Sequence, residues 1–157
     1  MKRIMFVCHG NICRSPMAEF IFKKMLVECG REDEFFVASS ATSTEEIYRG
    51  IGNPIYPPAR REMTTRGVEF DNSKRAVQLC RDDYDKYDLF VTMDQKNVRN
   101  ALLIFGKDPD GKIKKLMDYT GRGGDVSDPW YSDRFDIAFD DIYEGCRALL
   151  SALEGDK

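Results

Sequence analysis

Cys8 and Arg14 stand six positions apart in the run Val7-Cys8-His9-Gly10-Asn11-Ile12-Cys13-Arg14-Ser15-Pro16. An ordinary thiol titrates near ~8.5, but a helix N-terminus and nearby cations lower that by several units, so a cysteine in such a loop is expected to be a thiolate at neutral pH. Arg14 can fold back and offer a planar fork of donors to two oxygens of a tetrahedral anion. Ser15 can donate to the sulfur. Gly10 permits positive φ, and Asn11 tolerates the left-handed region while its side chain pins the loop. Together these residues describe a nucleophile on the floor of a phosphate cradle. A structural cysteine beside a helix-capping serine is the plainer alternative. The number of positions suited to binding an anion weighs against it.

A second group lies far along the chain, in Asp125-Val126-Ser127-Asp128-Pro129-Trp130-Tyr131, after the glycine-rich residues 121–124. Releasing an alcohol or phenol from phosphorus requires a proton on the departing oxygen, and a positioned carboxyl supplies about 10²–10⁴-fold in rate. Asp128 suits this better than Asp125, because Pro129 stiffens its loop and two aromatic rings can shield it. A plain Asx-Pro turn fits the same residues. Tyr48, Trp130 and Tyr131 can wall a slot for a flat ring or serve as half-buried anchors. Cys13 is within reach of Cys8 and can trap it as a disulfide, or can simply pack the loop. His9 is the only histidine. Its side chain is expected to point away from that of Cys8, since neighbours on an extended segment alternate, so it joins the loop as a binding residue and not as a base. One histidine and scattered cysteines make no metal-ligand set, and no cofactor is implied.

Holding Cys8 and Arg14 in place takes a strand and a helix. Ile4-Met5-Phe6-Val7 predicts a buried strand that ends at Cys8. Ala18, Ile21, Phe22, Met25, Leu26 and Cys29 recur at helical spacing, with Pro16 suited to the first helical position and Gly30 as the stop. The pattern then repeats. Phe35-Phe36-Val37-Ala38 predicts a second strand, and residues 39–58 predict a long irregular loop of the kind that is usually functional. Residues 58–66 form a helix and residues 82–88 a charged turn. Leu89-Phe90-Val91-Thr92-Met93 is a third strand, followed by a helix capped by Asp94 with Val98, Ala101, Leu102 and Phe105 on its face. Residues 113–117 suit a fourth, edge strand. A long C-terminal helix carries Phe135, Ala138, Phe139, Ile142, Tyr143, Cys146, Leu149, Leu150 and Leu153. Cys29 and Cys146 are expected in the core, and Cys80 is unassigned. Strand–helix alternation implies an α/β, flavodoxin-like doubly wound sheet of about four parallel strands with helices on both faces. Ligands of such sheets sit beyond the carboxyl ends of the strands, where Cys8 falls.

The 157 residues are one domain's worth, with 42% hydrophobic and 32% charged residues, as in soluble globular proteins. Five cysteines without regular spacing suit a reducing compartment, and no signal peptide or membrane span is read, so a cytoplasmic location is expected. A net charge of −3 provides no basic field for nucleic acid.

Cys-x-Gly-Asn-Ile-Cys-Arg-Ser-Pro after an N-terminal strand, with Asp-Pro-Trp-Tyr near the C-terminus, resembles the low-molecular-weight protein tyrosine phosphatases over nearly the whole chain. The resemblance implies hydrolysis of phosphotyrosine through a phosphocysteine, with inorganic phosphate as product. It implies Cys8 as nucleophile, Arg14 as phosphate clamp and Asp128 as general acid. By the same resemblance, His9, Gly10, Asn11, Ile12, Cys13 and Ser15 are expected to bind the phosphate, and Tyr48, Trp130 and Tyr131 to contact the ring. It also implies that Cys13 protects Cys8 from oxidation. Eukaryotic members carry a histidine in the segment matching Asp71-Asn72-Ser73-Lys74, where this chain has none, so any support to the loop is expected from Asn72 or Ser73. Two relatives of this loop offer other activities. Thioredoxin-coupled arsenate reductases need two further redox cysteines in a segment where Cys80 stands alone. Protein arginine phosphatases carry a threonine where this chain has Ile12. A phosphate-binding module without catalysis would lack the nucleophile or the acid, and both residue types are present.

Overall fold

In the computed structural model, which describes residues 1–154, the chain runs as β1 (Lys2–Cys8), α1 (Arg14–Glu28), β2 (Phe35–Ala41), a small hairpin of β3 (Ile47–Tyr48) and β4 (Ile51–Gly52), α2 (Pro57–Thr65), β5 (Leu89–Thr92), α3 (Gln95–Phe105), β6 (Ile113–Lys115), α4 (Pro129–Ser132) and α5 (Phe135–Glu154). The four longer-range strands form one parallel sheet in the order β2-β1-β5-β6. This is the doubly wound α/β arrangement, with the chain reversing its winding direction at β1.

Alternation along β1 decides which face each side chain serves. Ile4, Phe6 and Cys8 join the larger core with Phe22 of α1 and Ile142 of α5, while Met5 and Val7 pack with Phe90, Ala101 and Phe105 on the α3 side. Helices therefore cover both faces, and the central strands β1 and β5 read as apolar runs because both of their faces are buried. Cys8 ends β1 on the α1 side, which is why its sulfur points at the start of that helix.

Several boundaries differ from those read in the sequence. β2 continues to Ala41, because its backbone keeps pairing with β1 as far as Cys8↔Ala41; the small polar residues Ser39 and Ser40 are buried strand residues. The β3–β4 hairpin occupies part of the expected loop. β6 stops at Lys115, and Leu116–Thr120 winds into a 3-10 turn. α1 begins at Arg14, so Pro16 is its third residue; the N–H it lacks there has no helical partner in any case. Cys29 lies one residue past α1 and is exposed, not core, whereas Cys146 is fully buried. On α3 the buried face is Asn97, Ala101 and Phe105, with Leu102 turned outward. Tyr143 on α5 is likewise exposed.

Candidate active site

The loop between β1 and α1 is shaped from beneath by one asparagine. Asn11 is buried with φ of 59°, and it is Asn11, not Gly10, that takes the left-handed conformation. Its Nδ2 donates to Ser15 Oγ (2.7 Å) and Ser39 Oγ (3.0 Å), and its Oδ1 accepts the Val77 N–H (3.1 Å). Gly10 has ordinary backbone geometry, and a Cβ there would make a tight contact of 3.2 Å with Glu46 Cγ.

Donors converge on Cys8 Sγ. The N–H groups of Asn11 (3.3 Å) and Ser15 (3.4 Å) point at it, and Ser15 Oγ is 3.1 Å away. Because Ser15 Oγ accepts from Asn11, its own proton is available to the sulfur. Such an arrangement holds negative charge at the helix N-terminus.

Arg14 is 97% shielded from solvent (3% exposed), and its fork is spoken for on one side. Nη1 donates to Asp94 Oδ2 (2.8 Å) and to the Val126 carbonyl (2.9 Å), leaving Nη2 facing the pocket, 3.5 Å from Asp128 Oδ2. Burial alone would lower the guanidinium pKa; Cys8, Asp128 and Asp94 outweigh it and raise it. Asp94 does two things with one carboxylate, since its Oδ1 also accepts the Asn97 N–H (2.8 Å) as the cap of α3. Sequence reading saw the cap and missed the clamp. The available signal was its place at the carboxyl end of a central strand beside β1.

Asp128 reaches the pocket from the opposite wall. Its loop is fixed by buried Val126, whose N–H donates to the Met93 carbonyl (2.8 Å), and Asp128 Oδ1 caps the short α4 through the Trp130 N–H (3.1 Å). Asp125 is turned elsewhere, held by Lys115 Nζ (3.0 Å) and the Gln95 N–H (3.2 Å). The pocket is lined by Cys8, His9, Gly10, Ile12, Cys13 and Arg14 from the loop, and by Asp128, Trp130 and Tyr131 from the far side. Trp130 packs against Tyr56, ring centroids 5.0 Å apart, and Tyr131 is exposed. Asn11 and Ser15 lie under the loop and act on its shape, not on its surface.

The remaining wall is not the expected one. Tyr48 is not part of the lining; it stands on the exposed hairpin under the Arg49 guanidinium. Glu45 and Glu46 occupy the mouth instead, Glu45 Oε2 2.9 Å from His9 Nε2 and Glu46 Oε2 accepting from Asn53 Nδ2 (2.7 Å). Burial, together with the neighbouring Cys8, Asp128 and Glu46, pushes the Cys13 thiol far up, so it stays protonated.

Support beneath the loop comes from Lys74. Asn72 and Ser73 are exposed, and Ser73 is engaged in a turn with Asp71. Lys74 Nζ donates to the Ser39 carbonyl (3.0 Å) and lies 4.0 Å from Glu19, a buried carboxylate that also accepts from Ser39 Oγ (2.6 Å) and Lys23 (2.6 Å). A continuous hydrogen-bonded path thus runs from Glu19 through Ser39, Asn11 and Ser15 to Cys8. Burial holds the Lys74 ammonium below the usual lysine range, with Lys23 adding to this and Glu19 and Cys8 opposing it. Replacing Lys74 by methionine strips a donor from Ser39 and a cation from Glu19. The expected cost is about 1–3 kcal/mol of stability, with slower turnover as Asn11 loosens. Urea denaturation beside kcat/KM checks this; an unchanged midpoint would assign Lys74 no supporting role.

A thiol ringed by amide donors, a buried arginine beside it and a carboxyl opposite, all beyond the carboxyl ends of a parallel sheet, define a site for phosphate monoesters in an α/β protein. Comparison with known proteins makes the class specific. Residues 3–157 match the model of the family described as low molecular weight phosphotyrosine protein phosphatase, and the chain belongs to that family of hydrolases. Among curated relatives, the low molecular weight protein-tyrosine-phosphatase YfkJ of Bacillus subtilis is 33% identical over all of this chain and 99% of its own. The crystal structure of YfkJ superposes with a TM-score of 0.93, covering 100% of this chain and 97% of that one. The tyrosine phosphatase structure from Streptococcus pyogenes is 35% identical, with a TM-score of 0.86 over 98% of this chain and 93% of that one. A Drosophila arginine phosphatase also superposes, at 25% identity and a TM-score of 0.86 over the full length of both chains. No helix among the described residues is long and apolar enough to cross a membrane.

Proposed function

We propose that residues 1–157 act as one phosphatase domain that hydrolyses phosphotyrosine in proteins through a phosphocysteine. Cys8 attacks phosphorus in line as a thiolate; the S–P bond forms as the P–O bond breaks. Arg14 and the amides of the loop hold the equatorial oxygens as charge shifts onto them. Asp128 delivers its proton to the departing phenolate oxygen. Water then attacks phosphorus, the proton returns to Asp128, and the S–P bond breaks to release inorganic phosphate and regenerate the thiolate.

The observation that carries this reading is the junction of three groups from distant parts of the chain. Cys8 Sγ lies among converging donors, and Arg14 Nη2 beside it is 3.5 Å from Asp128 Oδ2. Ile12, buried in the lining, favours an aromatic ring over a guanidino group; the arginine phosphatase neighbour keeps phosphoarginine as the second reading. Cys13, protonated and adjacent, is suited to capture an oxidised Cys8 as a disulfide. Five free cysteines suit a reducing compartment and support a cytoplasmic enzyme that acts on phosphoproteins or small aryl phosphates, and the net charge of −3 speaks against nucleic acid as a partner. The test is phosphate release from phosphotyrosine, phosphoarginine and phosphoserine peptides of one sequence, with arsenate reduction alongside. Phosphotyrosine should give the highest kcat/KM. A higher value for phosphoarginine would transfer the assignment to the second reading.

A further inference from the structure

The floor of the pocket and its mouth carry opposite charge. Arg14 is the one arginine or lysine in the lining, and it lies at the bottom; Glu45, Glu46 and Asp128 are the carboxylates around the opening. A pocket for a dianion has no use for carboxylates at its entrance on the dianion's account, since they repel it. Glu46 is not neutralised by its partner, and Glu45 only when His9 is protonated. Glu46 accepts from the uncharged amide of Asn53, and Glu45 faces His9, which carries charge only when protonated. With His9 neutral the pair contributes two negative charges, and with His9 protonated one remains. Arg49, the nearest cation along the chain, is stacked 5.3 Å over the Tyr48 ring on the hairpin and is outside the lining.

The two glutamates are also held in place. Their segment is bolted to the phosphate loop: the Ser43 N–H (3.0 Å) and Ser43 Oγ (2.9 Å) both donate to the His9 carbonyl, and the Asn53 N–H donates to the Glu46 carbonyl (2.8 Å). Glu46 Cγ passes close over Gly10, 3.2 Å from where a Cβ there would stand. A substrate whose phosphate sits on the loop must bring its flanking residues past these carboxylates.

Resting on the tyrosine phosphatase reading above, we propose that Glu45 and Glu46 are specificity determinants that select phosphotyrosyl segments with lysine or arginine beside the phosphotyrosine. Flanking acidic residues, repelled by the same pair, are discriminated against. Exposed ion pairs are individually weak, and a flanking lysine changed to glutamate exchanges an attraction for a repulsion. The expected preference is about 3- to 10-fold in kcat/KM.

The experiment uses two phosphotyrosyl peptides identical except for lysines or glutamates on either side of the phosphotyrosine. Their kcat/KM ratio is measured for the natural protein and for the Glu45→Lys/Glu46→Lys and Glu45→Gln/Glu46→Gln double variants. Taking the ratio within each protein removes any general loss of activity. The natural protein should favour the lysine peptide, the glutamine variant should bring the ratio near one, and the lysine variant should invert it. Raising the salt should shrink the natural preference. A ratio near one in the natural protein, or one that survives in the glutamine variant, overturns the assignment of Glu45 and Glu46 while leaving the tyrosine reading intact. Failure of both peptides alongside turnover of phosphoarginine would overturn that reading and this proposal with it.

Discussion

Replacing Cys8 by serine should abolish turnover while leaving the affinity for inorganic phosphate nearly unchanged. The loss should be on the order of 10⁶-fold, as when an enzyme of covalent mechanism loses its nucleophile. A serine hydroxyl is not ionised near neutral pH, and nothing in the lining takes its proton: His9 is engaged with Glu45 at the mouth, and Asp128 is needed in its acid form. The groups that would hold the phosphate do not depend on sulfur. Arg14 is fixed by Asp94 and the Val126 carbonyl, and the loop is fixed by Asn11 through Ser15, Ser39 and Val77. Phosphate affinity by titration calorimetry, beside turnover of an aryl phosphate, separates the two roles. Appreciable turnover by the serine variant would remove Cys8 from the mechanism. Loss of phosphate binding would mean that the sulfur shapes the cradle as well as attacking from it.

What could be read from the sequence is largely what neighbours in the chain determine. A strand, a loop with a fixed spacing of Cys8 to Arg14, and a helix beginning at Arg14 are local features, and the alternation of strands and helices implies the parallel sheet. Residues that act across the fold were harder to read. Asp94 gave the signal of a helix cap, and only the β1–β5 pairing brings its second oxygen to Arg14. Lys74 was hidden behind Asn72 and Ser73 because a lysine reads as a solvated surface residue; here its stem runs inward to Ser39 and Glu19. Tyr48, an aromatic on a loop, is by its type a candidate for the ring slot. The β3–β4 hairpin carries it away from the pocket and leaves Glu45 and Glu46 at the mouth, an outcome set by how two residues of pairing close a turn. Asn11 takes the left-handed conformation and pins the loop as expected, while Gly10 does not use its freedom of φ. The asparagine holds positive φ with three hydrogen-bond partners, the buried Ser15 and Ser39 and the Val77 N–H, and composition does not reveal partners.

Removing the acid should produce a loss that depends on the leaving group. If Asp128 protonates the departing oxygen, Asp128→Asn should slow cleavage of tyrosyl or alkyl-like esters by about 10²–10⁴-fold. For a dinitrophenyl ester the departing oxygen is stable as an anion, proton transfer contributes little, and the loss in kcat/KM should be much smaller. Asparagine keeps the shape of the side chain, and its oxygen can still accept the Trp130 N–H that starts α4. The wall of the pocket should therefore survive the change. Asp125 is the internal control. Its carboxylate bridges Lys115 and the start of α3, so Asp125→Asn loosens the loop that carries Val126 and Asp128. Any resulting loss should be of similar size for every ester, because it misplaces the acid without changing what the leaving group requires. Plotting log kcat/KM against leaving-group pKa for the natural protein and both variants gives the answer as three slopes. The natural protein and Asp125→Asn should share a shallow slope, displaced downward for the variant, and Asp128→Asn should be steep. A shallow slope for Asp128→Asn, or a steep one for Asp125→Asn, would move the proton donor to another group in the pocket.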